Sequence, residues 1–115
     1  MAQSLPSEPK GQALEDLTQL FKALGDSSRV RILFHIFSTE ACVGEIARNL
    51  QMSEAAVSHH LRILRINGLV RRQRNGKEMF YQLNDNHVRF IIAQGCEHVQ
   101  EFLDKNGKVL MSEDF

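Results

Sequence analysis

The stretch from Cys42 to Asn67 leaves the chain little freedom of fold. Ile46, Ala47 and Leu50 recur at helical spacing, and Val57, Leu61 and Leu64 do so again a short distance on. Ser53 stands where a helix N-cap belongs, with a hydroxyl able to accept from the first turn. The spacing predicts one helix over residues 43–50, a turn at Gln51-Met52, and a second helix over residues 54–66. Two short helices on so tight a turn make a helix-turn-helix pattern, and Ala47 is small where they would cross. No glycine stands between Ala47 and Ser53, although this turn often holds one.

The flanks complete one domain. Leu14, Leu17, Phe21 and Leu24 predict a first helix that stops at Gly25. Asp26 or Ser27 caps the next, with Val30, Ile32, Leu33, Ile36 and Phe37 on its buried side. Beyond Gly68, residues 69–74 and 78–83 alternate as strands around Asn75-Gly76, a strong hairpin turn. A last helix runs from Asp85 to about Leu103. Residues 1–10, with both prolines, are read as a flexible N-terminal tail, 11–103 as the domain, and 104–115 as a C-terminal tail. The expected fold is mainly α with a small β-hairpin: a winged helix-turn-helix, paired as a homodimer through its N-terminal and C-terminal helices.

Charge suggests what such a body would touch. The net charge is zero, 14 basic side chains against 14 acidic, so the total does not announce a nucleic-acid binder. The distribution does: from Ser58 to Lys77 there are six Arg/Lys and no Asp/Glu, whereas Asp85–Phe115 holds six Asp/Glu against three Arg/Lys. The outward face of the second motif helix presents Glu54, Ala55, Ser58, His59, Arg62 and Arg65. Its start would enter the major groove of double-stranded DNA. There Ser58 and His59 suit base edges, Ala55 a thymine methyl and Glu54 a cytosine amine. Arg62, Arg65, Arg72, Arg74 and Lys77 suit phosphate, which makes binding salt-dependent. His60 lies nearer the Val57/Leu61 side and is read, like His35, as structural.

The last helix carries a second chemistry. Asp85 and His87 stand at its start, His98 and Glu101 near its end. The two histidines are eleven residues apart, which on a straight helix puts them within about 20° of one stripe but about 16 Å apart along the axis. Zinc draws its ligand atoms to about 2.0–2.2 Å, so one helix cannot bring both pairs to one ion. Two copies packed antiparallel across a two-fold axis could, joining Asp85 and His87 of one to His98 and Glu101 of the other. Two imidazoles and two carboxylates suit Zn(II), with Co(II) as a surrogate, and leave no open coordination position for hydrolysis.

Taken with Leu20–Asp26, Arg29, Arg31-Ile32-Leu33, Cys42–Ala47, Val57–Leu61, Gly68-Leu69-Val70 and Tyr81-Gln82-Leu83, the chain resembles the ArsR/SmtB family of winged-helix metal-sensing repressors, of the zinc-sensor type. The resemblance covers about residues 13–103. It implies that the metal-free dimer binds operator DNA and that Zn(II) in intersubunit sites of the last helix releases it. It also implies a link from a ligand histidine toward the recognition-helix end, here near Asn67-Gly68. The family's other site uses Cys-x-Cys, but this chain reads Cys42-Val43-Gly44, and residues 1–34 hold neither Cys nor His.

Other readings stand beside this one. Cys42 or Cys96 would serve a thiol/redox or non-metal-sensing repressor of the same fold. A zinc-stabilised dimeric structural or hydrolytic protein is the reading from another class. No His-Glu-x-x-His, Gly-x-Ser-x-Gly or phosphate-cradling glycine loop is present, so no enzyme is expected. Two cysteines make no disulfide framework, and no apolar run is long enough to span a bilayer or serve as a signal peptide. A reducing, cytoplasmic setting is the simpler expectation.

Overall fold

A computed structural model describes residues 7–107 of the chain. Within it the elements run α1 (Gln12–Leu24), α2 (Ser27–His35), β1 (Ala41–Cys42), α3 (Val43–Leu50), α4 (Glu54–Ile66), β2 (Val70–Asn75), β3 (Glu78–Leu83) and α5 (Asn86–Lys105). The architecture is the expected one, mainly α with a small antiparallel sheet. Of the tails expected at 1–10 and 104–115, residues 1–6 and 108–115 lie outside the described residues, and α5 runs two residues past the expected Leu103.

Local chemistry sets most helix ends. Asp26, Ser53 and Asp85 each cap a helix. Their side chains accept from the backbone N–H of Arg29 (3.1 Å), Ala56 (3.0 Å) and Val88 (3.1 Å), and each such cap stabilises by about 1 kcal/mol. At the end of α4 the N–H of Leu69 donates to the Leu64 carbonyl (2.9 Å) and that of Gly68 to Arg65 (3.0 Å). This is the Schellman arrangement, with Gly68 in the left-handed region at φ 70° and Leu64 and Leu69 both buried beneath it.

The same arrangement closes α3. Met52 donates to Ala47 (2.9 Å) and Gln51 to Arg48 (3.4 Å), and Gln51 takes φ 57°, ψ 48°. The glycine missing from the turn is thus replaced by a residue with a side chain in a left-handed conformation.

Two details of the sheet differ from expectation. A third strand, β1, adds to the hairpin in the order β1-β3-β2, with Ala41 opposite Tyr81 and Cys42 opposite Phe80. Two residues are too few to show a strand period, so only the partner strand reveals it. The hairpin also turns one residue later than Asn75-Gly76. Asn75 pairs with Glu78, which leaves Gly76 and Lys77 as the loop. Gly76 has φ 67° and Lys77 is not in the positive-φ region, the signature of a type II′ turn.

The core joins α2, α3, α4 and the sheet through Ile32, Leu33, Ile36, Ile46, Val57, Leu61, Leu64, Leu69, Val70, Tyr81 and Leu83, all buried. α1 adds Ala23, and Leu20 and Leu24 pack against the cluster. α5 adds only Val88, with Ile92 half-buried behind it. The outward faces of these two terminal helices stay apolar. Phe21 is 62% exposed on α1, and Phe90 and Phe102 are 65% and 61% exposed on α5.

Candidate nucleic-acid interface and metal ligands

The α3–α4 pair turns one side of α4 outward. Val57, Leu61 and Leu64 are drawn into the core, so Glu54, Ala55, Ser58, His59 and Arg62 lie exposed, with Arg65 half-buried at the far end. The Ser53 cap holds the first turn of α4, whose free N–H groups add a partial positive charge at the end nearest Glu54. Ala47, buried on α3, lies among the core residues with Val57 and Leu61.

The hairpin continues this surface. Arg72, Arg74 and Lys77 are exposed, as the basic run predicts. Arg72 lies opposite Tyr81 and Arg74 opposite Met79, so both share a face with Val70, whereas Arg71 lies opposite Gln82 on the other face. Arg71 is equally exposed and stands in the same basic run, outside the set of arginines expected at phosphate.

His60 departs from its neighbour. It is half-buried, and its ring stands 5.7 Å from that of His59 at 60°. The Nη1 of Arg29 lies 3.3 Å from its Nδ1. Burial pushes the His60 imidazole below its ordinary range, helped by the charges of Arg29 and His59 and opposed by Asp26. The Arg29 backbone N–H, foremost, holds the Asp26 carboxyl below its usual range. His35 is tied to Asn49 at 3.1 Å.

The four candidate metal ligands all lie at or on α5. Asp85 Oδ1 is 3.6 Å from His87 Nδ1, with the His87 side chain 94% exposed. Two donors on one tetrahedral zinc ion stand roughly 3.4 Å apart, so this pair needs little rearrangement to share an ion. The Val88 N–H, foremost, holds the Asp85 carboxyl below its usual range. His98 and Glu101 are exposed further along the same unbroken helix. The described residues of one chain contain no group of three or more donors able to hold an ion. Two donors do not fill a tetrahedral zinc site, so within one chain neither pair holds the ion by itself. Cys42 and Cys96 are free, half-buried thiols on separate elements. Within the described residues no helix is long and apolar enough to cross a membrane.

Comparison with known proteins places this arrangement. The model of the bacterial regulatory protein, arsR family, matches residues 26–72. The transcriptional repressor SmtB homolog of Synechocystis sp. is 40% identical over 87 residues, 76% of this chain and 66% of that protein. The cadmium resistance transcriptional regulatory protein CadC homolog of Staphylococcus aureus is 36% identical over 75% of this chain and 72% of its own length. In solved structures, a homodimeric winged helix-turn-helix DNA-binding domain from Mycobacterium bovis superposes with a TM-score of 0.79 at 25% identity, covering 88% of this chain and 95% of that one.

Proposed function

This chain belongs to the arsR family of bacterial regulatory proteins, a family of DNA-binding transcriptional regulators, and on that footing we propose that it is a metal-responsive transcriptional repressor that works as a homodimer. The observation that carries the DNA half is the exposed face of α4 running into a hairpin of arginines. Glu54, Ala55, Ser58 and His59 read the major groove, and Arg62, Arg65, Arg72, Arg74 and Lys77 hold phosphate. Two-fold pairing sets two copies of α4 about 34 Å apart, one turn of B-form DNA.

The Asp85–His87 pair supports the sensing half. A close, exposed carboxylate–imidazole pair on the same helix as His98 and Glu101 suits an ion shared between two chains. The metal would supply a crosslink between the α5 helices and no reaction. By family analogy, Zn(II) favours a dimer geometry whose α4 spacing no longer matches the groove, so the operator is released. The required coupling is the difference in zinc affinity between the two geometries, typically about 1–3 kcal/mol.

The test is fluorescence anisotropy with a labelled duplex enriched by this protein from a randomised pool. The metal-free protein should bind it, Zn(II) should release it, and His98→Ala should bind it but ignore zinc. A zinc response retained in His98→Ala would sink the ligand assignment without touching the DNA reading.

A further inference from the structure

Arg29 joins three elements at one corner of the fold. Its Nε donates to the Ala23 carbonyl (2.8 Å) and its Nη2 to the Lys22 carbonyl (3.3 Å), both at the C-terminal end of α1. Its backbone N–H donates to the Asp26 cap of α2 (3.1 Å), whose other carboxylate oxygen is 4.0 Å from Nη1. Nη1 in turn reaches His60 Nδ1 on α4 (3.3 Å). The Arg29 side chain is only 14% exposed, so these bonds are partly shielded from competing water.

Arginine can only donate. His60 Nδ1 is therefore the acceptor, and the ring's single proton sits on Nε2. The contact exists only while His60 is neutral. A second proton would go onto Nδ1 itself, removing the acceptor and setting an imidazolium against the guanidinium. The charged and titratable groups that act on the ring are Asp26, the cap of α2, Arg29 of α2 and His59 of α4; from α1 only the Lys22 and Ala23 carbonyls enter the corner, through Arg29. Asp26 alone favours the protonated ring; burial, Arg29 and His59 oppose it.

We propose that Arg29 and His60 are a positioning pair that fixes α4 against the α1–α2 corner, and that DNA binding requires His60 in its neutral, Nε2-protonated form. His60 follows directly on His59, a residue of the exposed face, so a released ring lets the start of the groove-facing surface shift. The inference rests on the DNA-binding reading above. Its sign is opposite to the usual one, since protonating a histidine near DNA ordinarily strengthens phosphate attraction.

The test uses the full chain, chelator-treated so that α5 takes no part, and the same enriched duplex. His60→Asn keeps an acceptor near the Nδ1 position but cannot titrate, whereas His60→Leu keeps neither property. At about pH 8, His60→Asn should bind like wild type, while His60→Leu and Arg29→Lys should each lose roughly tenfold in affinity with unchanged circular dichroism. Between about pH 8 and pH 5.5, wild type should lose affinity progressively relative to His60→Asn, by less than the roughly tenfold that an ordinary imidazole would give over that range. The ratio cancels every pH effect that the two proteins share. Wild-type binding by His60→Leu, or a flat ratio, would overturn the pair while leaving the DNA reading intact. No duplex binding by wild type would overturn both.

Discussion

Gln51 shows what a single residue contributes. It holds a left-handed conformation that favours glycine, because Met52 and Gln51 must both reach back to close α3. A left-handed residue with a Cβ is strained by roughly 1–2 kcal/mol, and glycine returns part of that advantage through its freer unfolded chain. Gln51→Gly should therefore stabilise the protein by about 0.5–1 kcal/mol, read as a higher urea midpoint with an unchanged slope. Loss of stability would mean that the Gln51 side chain makes a contact outweighing its strain. The absent glycine was visible in the chain; that the motif keeps its geometry without one was not. The caps Asp26 and Ser53 were legible because capping needs only a short polar side chain and the neighbouring backbone. Arg29 was not legible as a joint, since Lys22, Ala23 and His60 come together only in the folded corner.

At the scale of elements, α5 is the least anchored helix. Its one buried side chain is Val88, so its fixed angle to the body depends on polar contacts at its start. Arg89 supplies the longest-range of these. Its Nη2 donates to the Phe37 carbonyl beyond the end of α2 (2.8 Å), and its guanidinium lies over the Phe37 ring at 5.3 Å. Together such contacts stabilise by about 1–2 kcal/mol. Arg89→Ala should lower stability by about that amount and speed amide exchange in the first turns of α5, with exchange in α4 unchanged. Slow exchange throughout α5 in that variant would show that Val88 and Ile92 anchor the helix alone. The helical periods predict α5, α3 and α4 nearly to the residue, because an amphipathic stripe repeats every few positions. They are silent on β1, whose two residues pair with a strand nearly forty positions away.

The molecule as a whole is less compact than one domain needs to be. Its radius of gyration is 16.0 Å, against roughly 13 Å for a globular domain of this length. Of the nine large exposed apolar side chains among the described residues, seven lie on α1 and α5: Leu14, Leu17 and Phe21 on the first, Phe90, Ile91, Val99 and Phe102 on the second, with Phe34 on α2 and Ile66 on α4 the other two. Exposed apolar helix faces of this kind suit association, and a two-fold dimer that paired them would bury each twice. Sedimentation should give a species of twice the 13.1 kDa of one chain. Phe21→Glu combined with Phe102→Glu should give a folded monomer with at least roughly tenfold weaker duplex binding. A dimer that survives both substitutions would place the interface elsewhere.

What the chain determined alone was local and periodic: five helices, their caps, the hairpin, the basic run and the spacing of Asp85, His87, His98 and Glu101. Those follow from interactions over a few residues, and a linear reading captures them. Tertiary structure decided what depends on distant partners. It added β1, and it seated Arg29 between α1, α2 and α4, against the His60 that the helical stripe had already turned inward. These placements join residues far apart in the chain, and no local period encodes them.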